Sequence, residues 1–152
     1  MEIQKDLLDQ IVRHEGKRPE VYDDATGKPI RPGTFVKGYP TIGVGRNLVR
    51  GLSDDEILYL LKNDMEISKQ EVERTFPWYH KISWIRKRVI LDLHHARGLP
   101  NMLKWKPFLR HCEEEKFDLA ADFILKSAWA QVVGQRAKRL AFMMRNDGEP
   151  TW

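Results

Sequence analysis

A segment rich in glycine and proline lies between two amphipathic helices and restricts the fold of this chain more than any other feature. Residues 20–47 contain Gly27, Pro29, Pro32, Gly33, Gly38, Pro40, Gly43 and Gly45. Because both residue types weaken helix interiors, no long helix can cross this stretch. Short β-branched and aromatic runs at 20–22, 34–36 and 41–44 predict a small antiparallel sheet. Residues 28–37 are interpreted as a long hairpin arm or loop.

The flanking sequence is helical in its patterning. Apolar residues recur at helical spacing over residues 3–15, and Ser53 with Glu56 forms a capping-box pattern that predicts the start of a long second helix. The predicted helices cover 3–15, 53–74, 83–97, 117–126, 128–133 and 135–146. The fold class predicted from the residues is therefore α+β, with a small sheet-bearing lobe, a connecting helix and a mainly helical lobe.

Length and composition indicate one folded domain. The chain has 152 residues, of which 41% are hydrophobic and 32% charged, so it can bury a core. No apolar run approaches the ~18 residues of a membrane span, and the N-terminus is too polar for a signal peptide. We therefore expect synthesis in a cytoplasm without an export signal. The single Cys112 cannot form an internal disulfide and is interpreted as a buried, unreactive thiol.

Positive charge is concentrated in one segment. The formal net charge is +4, and residues 81–110 hold eight Lys or Arg against one acid, Asp92. Such a surface attracts polyanions, and charge alone does not choose between nucleic acid, anionic lipid and acidic wall polymer. A nucleic-acid partner is not expected, because no helix-turn-helix or zinc pattern accompanies the charge. Adjacent His94 and His95 point about 100° apart on a helix, so they are poorly placed to share one metal ion. No metal or cofactor is expected.

Three residues could carry chemistry. Glu15 ends the first helix, Asp24 lies in a turn before Gly27, and Thr41 lies in a predicted strand. Taken singly, these are an exposed charge, a turn former and a strand residue. Taken together, two carboxyl groups and a hydroxyl suit the hydrolysis of a glycosidic bond, which needs one acid and one carboxylate.

The order of these motifs resembles the phage-type lysozymes, the T4-lysozyme-like endolysins. The resemblance begins with Glu15-Gly16, Tyr22, Asp24 and Gly27, followed by Thr41-Ile42-Gly43-Val44-Gly45. It continues through Asp54-Asp55-Glu56, Leu60-Leu61-Lys62-Asn63-Asp64, Ser127-Ala128-Trp129 and Arg136-Ala137-Lys138-Arg139. It thus covers about residues 7–145. The resemblance implies a single lysozyme-like domain with a sheet lobe over 16–52, a connecting helix over 53–74, and a helical lobe over 75–152 that includes the N-terminal helix.

The resemblance also implies roles for individual residues. Glu15 would be the general acid, Asp24 the second, ionised carboxyl group, and Thr41 the hydroxyl that helps to position water. Arg136 occupies the position of an arginine that pairs with the catalytic glutamate. The family is understood to invert the anomeric centre, which implies a separation of ~6.5–9.5 Å between the two carboxyl groups.

The chain departs from the family pattern at several positions. Extra residues between Asp24 and Thr41 are expected to lengthen the sheet arm. Arg46 stands where the best-known member has a histidine, and Asp64 matches that histidine's partner, so an Arg46–Asp64 pair is predicted. His94 and Arg97 lie in a stretch of the central helix that is more apolar in the family. They are candidates for substrate contact, with an equally open alternative in which they are solvated or bound by helix ends.

The function that follows from the resemblance is cleavage of the β-1,4 bond between N-acetylmuramic acid and N-acetylglucosamine in peptidoglycan. The expected outcome of this activity is lysis of the bacterial host. Two alternatives stay open, namely a lytic transglycosylase that forms a 1,6-anhydro product and a wall-binding module without catalytic activity.

The expected partners follow from the same resemblance. The enzyme would act as a monomer, would be made in the host bacterial cytoplasm, and would depend on a holin pore to reach the wall. The helix over 135–146 carries Arg136, Lys138, Arg139 and Arg145 beside apolar residues. It is either a core helix with a charged outer face or a site for anionic envelope lipid.

Overall fold

The structure, a computed structural model, describes residues 3–152. Over these residues it contains eight α-helices and one three-stranded antiparallel sheet, so the predicted α+β class is confirmed. The elements are α1 (Lys5–Glu15), β1 (Arg18–Asp23), β2 (Pro40–Gly43), β3 (Arg46–Asn47), α2 (Asp54–Thr75), α3 (Trp84–Arg97), α4 (Leu99–Leu103), α5 (Lys106–Glu113), α6 (Phe117–Lys126), α7 (Ala128–Val133) and α8 (Gln135–Asn146). Single 3-10 turns occur at Leu48–Arg50 and Pro77–Lys81.

The chain divides into two compact units, Met1–Ile57 and Leu58–Trp152. The first unit contains α1, the sheet and the first turn of α2. The second contains the rest of α2 and helices α3–α8. The lobe boundaries implied by the resemblance, including the assignment of α1 to the helical lobe, stay predictions.

The sheet has the order β1-β2-β3, with each neighbouring pair antiparallel. Tyr22 of β1 lies opposite Thr41 of β2, and Ile42 of β2 lies opposite Arg46 of β3. The strand β3 was not predicted. It is only two residues long, which is too short to produce an alternating pattern in the sequence.

The strand predicted at residues 34–36 is wrong. Residues 34–36 belong to the loop between β1 and β2, which touches the sheet near its start through an isolated bridge between Tyr22 and Pro29. Thr34 closes a turn with Arg31, since the Thr34 amide donates to the Arg31 carbonyl and the Arg31 amide donates to the Thr34 hydroxyl, each over 2.9 Å. A backbone turn bond and a bond to the Thr34 hydroxyl therefore replace the ladder that a strand would need.

The start of α2 follows the predicted capping box. The Glu56 amide donates to the Ser53 hydroxyl over 3.3 Å, and the Ser53 amide donates to the Glu56 carboxylate over 2.8 Å. Within residues 3–152, no helix combines the length and apolar character that crossing a membrane requires.

The second unit is built around a continuous apolar core. Its fully buried members include Tyr79, Ile90, Leu93, Phe108 and Met144, and Cys112 is fully buried among them. Burial raises the pKa of the Cys112 thiol to about 12. The prediction of a buried thiol is therefore confirmed.

Candidate active site

Glu15 is the last residue of α1 and is exposed to solvent. The helix stops there because Gly16 takes a positive φ of 76°, with its amide bonded to the Val12 carbonyl over 2.8 Å. The Glu15 carboxyl group lies against Gly45, which has a φ of +68° between β2 and β3. A Cβ atom placed on Gly45 would stand 2.8 Å from Glu15 Oε2. Glycine at position 45 thus makes both the turn and the approach of the carboxyl group feasible.

Asp24 follows β1 directly and is also exposed. Its Oδ1 atom accepts a hydrogen bond from the Tyr39 amide over 2.7 Å, and its own amide donates to the Tyr39 carbonyl over 3.1 Å. Gly38 makes room for this carboxylate, because a Cβ atom there would lie 2.1 Å from Asp24 Oδ1. Asp24 is therefore fixed to the residue that precedes β2.

Thr41 lies within β2 and is only 4% exposed. Its hydroxyl group donates to the Tyr39 carbonyl over 3.0 Å. Asp24 and Thr41 thus bind the same residue, and Thr41 has a positioning contact that the sequence did not indicate. The hydroxyl proton is occupied, while the oxygen keeps its capacity to accept a bond from water. The water-positioning role of Thr41 stays a prediction.

Asp23 is the residue that the sequence analysis missed. Its carboxylate is 2% exposed and accepts three backbone amides, from Lys37 over 2.8 Å and from Ala25 and Gly38 over 3.0 Å each. The Lys37 amide bond contributes most to lowering the pKa of Asp23, against the opposing effect of burial. A signal was present in the adjacent pair Asp23-Asp24, since neighbouring residues at a strand end point to opposite sides. One acid therefore turns inward to hold the loop while the other faces solvent.

The three predicted catalytic residues are arranged along β2. Glu15 lies against Gly45 just beyond one end of the strand, Asp24 is bound to Tyr39 just before the other end, and Thr41 lies between them. Both acids are exposed, so a ligand can reach them. A hollow of about 380 Å³ opens beside the turn between β2 and β3. It is lined by Lys17, Arg18, Pro19, Gly43 and Val44. Two carboxyl groups separated along a strand, with a hydroxyl between them, can serve acid–base chemistry on a bound sugar.

Arg46 pairs with Glu56 inside the first unit, and its predicted pair with Asp64 of the second unit stays a prediction. Arg46 Nη2 lies 2.6 Å from Glu56 Oε2 and also donates to the Gly51 carbonyl over 3.3 Å. Glu56 is held close by its capping bond to Ser53. Arg46 therefore ties β3 to the first turn of α2 through Glu56.

His94 packs inside the second unit, and its predicted contact with a substrate stays a prediction. His94 is 7% exposed, and its Nε2 atom lies 2.5 Å from Glu71 Oε2 of α2. Its Nδ1 atom is buried without a hydrogen-bond partner in the described part of the chain. His94 is thus a packing residue that links α2 to α3.

Arg97 has a similar structural role in the second unit. Its guanidinium carbon lies 4.0 Å from the ring centre of Trp105 and 6.0 Å from that of Trp129. Burial lowers the pKa of Arg97, because it disfavours the charged form. Cation–π contact with two indoles accounts for its placement, and its predicted contact with a substrate stays a prediction.

Arg136 and Asp64 belong to the second unit. Arg136 Nε and Nη2 bind Asp92 Oδ1 over 2.9 and 2.8 Å, and Asp64 is exposed on α2. Asp92 is thus the partner of Arg136 within this unit, and its pairing with Glu15 stays a prediction. Among residues 3–152, no group of three or more His, Cys, Asp or Glu side chains is placed to hold a metal ion.

In comparisons with known proteins, neither a protein-family model nor a curated protein matches this sequence.

Proposed function

We propose that this protein hydrolyses the β-1,4 bond between N-acetylmuramic acid and N-acetylglucosamine in bacterial peptidoglycan. The observation that carries the proposal is the arrangement along β2, where exposed Glu15 and Asp24 stand near opposite ends and Thr41 lies between them. The motifs of the first unit that resemble phage-type lysozymes, at residues 15–27 and 41–45, lie at or beside this strand. The proposal treats the protein as an endolysin that lyses its bacterial host.

The reaction needs one proton donor and one proton acceptor. Glu15 gives its proton to the glycosidic oxygen as the bond from that oxygen to the anomeric carbon breaks. A water molecule bonds to the anomeric carbon, and Asp24 takes the proton that this water loses. Tyr39 holds Oδ1 of Asp24 in place, so the other carboxylate oxygen is available to the water. An inverting reaction requires a gap of ~6.5–9.5 Å between the two carboxyl groups.

Basic residues of the second unit support attraction to an anionic wall. Of the eight Lys and Arg residues between 81 and 110, four are exposed, namely Lys81, Lys104, Lys106 and Arg110. Two of the other four make contacts within the second unit. Arg86 lies over Phe117, and Arg88 is paired with Glu149. The four exposed charges favour capture of peptidoglycan, and lytic activity is expected to fall as ionic strength rises.

The test is digestion of purified Gram-negative sacculi followed by mass spectrometry of the released fragments. Hydrolysis yields fragments with a reducing end, each one water heavier than the 1,6-anhydro fragments of a lytic transglycosylase. Reducing fragments support the proposal. Anhydro fragments would show that the enzyme is a lytic transglycosylase instead of a hydrolase. Binding to sacculi without release of fragments would indicate a wall-binding module. In cells, the proposal requires that the protein cross from the host cytoplasm to the wall, for which a holin pore is the expected route.

A further inference from the structure

A cavity in the second unit has a strongly cationic lining that the proposed function does not use. It has a volume of about 220 Å³ and lies between α3 and α8. Arg88 of α3 and Arg136 and Arg139 of α8 all line it, together with Asp92 and Trp152. Three guanidinium groups around one small cavity repel each other unless anions balance them.

The anions within the second unit balance only two of the three arginines. Arg88 is paired with Glu149, and Arg136 is paired with Asp92 over 2.8 Å. Arg139 Nε donates to the carbonyl of Thr151 over 2.9 Å, which is a neutral acceptor. Among residues 3–152, no acidic side chain lies within ion-pair distance of Arg139. Arg139 therefore has no acidic side chain as a direct counter-charge.

The outer nitrogens of Arg139 are its strongest remaining donors. In the described part of the chain they make no hydrogen bond, while the Trp152 ring lies 5.7 Å from the guanidinium carbon. A guanidinium group presents a planar fork of donors that matches a phosphate better than a single ammonium does. Leu140 and Met143 also line the cavity and reduce its hydration, which strengthens any ionic contact inside.

We propose that this cavity binds a phosphate group, with Arg139 as the principal ligand and Arg88 and Arg136 as flanking cations. The proposal is independent of the hydrolysis assigned to the first unit. A phosphate could come from a small soluble molecule or from a lipid head group, and both present the same oxygens to Arg139. The chemistry of recognition is shared, so separate experimental arms must distinguish the sources.

The first arm is titration calorimetry of the full chain with inorganic phosphate in a low-salt, phosphate-free buffer. Wild-type protein is expected to bind in a saturable manner, and Arg139→Gln is expected to weaken binding at least ~10-fold. Lys138→Gln is the matched control, because it removes one charge from an exposed neighbouring residue that does not line the cavity. Arg139→Lys keeps the charge without the fork and is expected to bind with intermediate affinity. Absence of saturable binding by the wild type, or equal weakening in Arg139→Gln and Lys138→Gln, would overturn the proposal.

The second arm measures co-sedimentation with vesicles of phosphatidylglycerol or of phosphatidylcholine. Sedimentation with phosphatidylglycerol that is lost in Arg139→Gln and competed by inorganic phosphate identifies a lipid head group as the source. Sedimentation that is unchanged in Arg139→Gln, combined with loss of inorganic phosphate binding in that variant, identifies a soluble phosphate. If Arg139→Gln changes neither measurement, the site does not exist. Circular dichroism of each variant establishes that it is folded before either arm is interpreted.

Discussion

Asp24 and Tyr39 are joined by hydrogen bonds in both directions. The Tyr39 amide donates to Asp24 Oδ1 over 2.7 Å, and the Asp24 amide donates to the Tyr39 carbonyl over 3.1 Å. Because the Thr41 hydroxyl donates to the same carbonyl, the backbone of one residue, Tyr39, binds both proposed site residues. This link gives an exposed loop acid a defined position at the start of β2.

The two neighbouring acids are expected to respond differently to loss of charge. Asp23→Asn replaces one carboxylate oxygen with an NH₂ group, which cannot accept a hydrogen bond. If this group takes the place of Oδ2, the Lys37 amide loses its acceptor; if it takes the place of Oδ1, the Ala25 and Gly38 amides lose theirs. We expect its thermal unfolding midpoint to fall by several degrees. Asp24→Asn can keep the Tyr39 bond through its side-chain oxygen, so its free energy of unfolding should stay within ~0.5 kcal/mol of wild type.

The order of the two variants should reverse when activity is measured instead of stability, so that Asp24→Asn is the more impaired. Asp24→Asn removes the proposed proton acceptor and should lower the rate of wall clearing by at least ~100-fold. Thermal unfolding and the turbidity of sacculi, followed on the same samples, check both expectations. A destabilised but active Asp24→Asn variant would contradict the separation of roles.

Gly45 and Gly43 provide a matched pair of substitutions. Both have a positive φ, of +68° and +67°, so alanine is strained by a similar ~1–2 kcal/mol at either position. Only at Gly45 would the new Cβ atom meet Glu15, since nothing lies within 4 Å of the position at Gly43. We expect Gly45→Ala to lose at least ~10-fold more activity than Gly43→Ala at equal stability. Equal activity in the two variants would show that the contact with Gly45 does not position Glu15.

The stability of the fold should fall in acid. The pKa of Asp23 is lowered in the folded protein, chiefly by the Lys37 amide, and an unfolded aspartate titrates near ~3.9. The contribution of the Asp23 carboxylate to stability is therefore complete above pH ~4. It is lost as the pH falls from there through the pKa of Asp23 in the folded protein. Urea unfolding at a series of pH values should show this decline in wild type, and a shallower decline in Asp23→Asn. Parallel curves for the two proteins would exclude Asp23 as its source.

Cys112 should be unreactive in the folded protein. Its side chain is fully buried, and burial raises its thiol pKa to about 12, so little thiolate exists at neutral pH. A coloured disulfide reagent should react with native protein at least ~100-fold more slowly than with protein unfolded in urea. A native thiol that reacts as fast as the unfolded one would show that the core around Cys112 opens readily.

Local rules of sequence predicted much of the fold. Ser53 and Glu56 form the expected capping box because both partners lie within one helical turn. The boundaries of α6, α7 and α8 agree with the sequence, since Ser127 and Gly134 separate these helices directly. Such features depend only on neighbours along the chain.

The differences arise where distant residues meet. Residues 34–36 form a loop instead of a strand because Asp23 binds the Lys37 and Gly38 amides, a contact across 14 or 15 residues. His94 became a core residue because Glu71, 23 residues earlier, pairs with it. The three candidate site residues were predicted from motif order, but their common relation to β2 depends on contacts with Tyr39 and Gly45, and of these two only Gly45 belongs to a predicted motif.

The most direct test of the account compares Glu15→Gln with Glu20→Gln in the rate of clearing of purified sacculi. Glu20 is an exposed glutamate in the same unit whose carboxylate binds Arg31 over 2.8 Å, so it controls for loss of one acid. The account predicts that Glu15→Gln loses at least ~100-fold in rate while its circular dichroism and wall binding match wild type, and that Glu20→Gln stays active. A Glu15→Gln variant that clears sacculi at the wild-type rate would contradict the assignment of Glu15 as the catalytic acid.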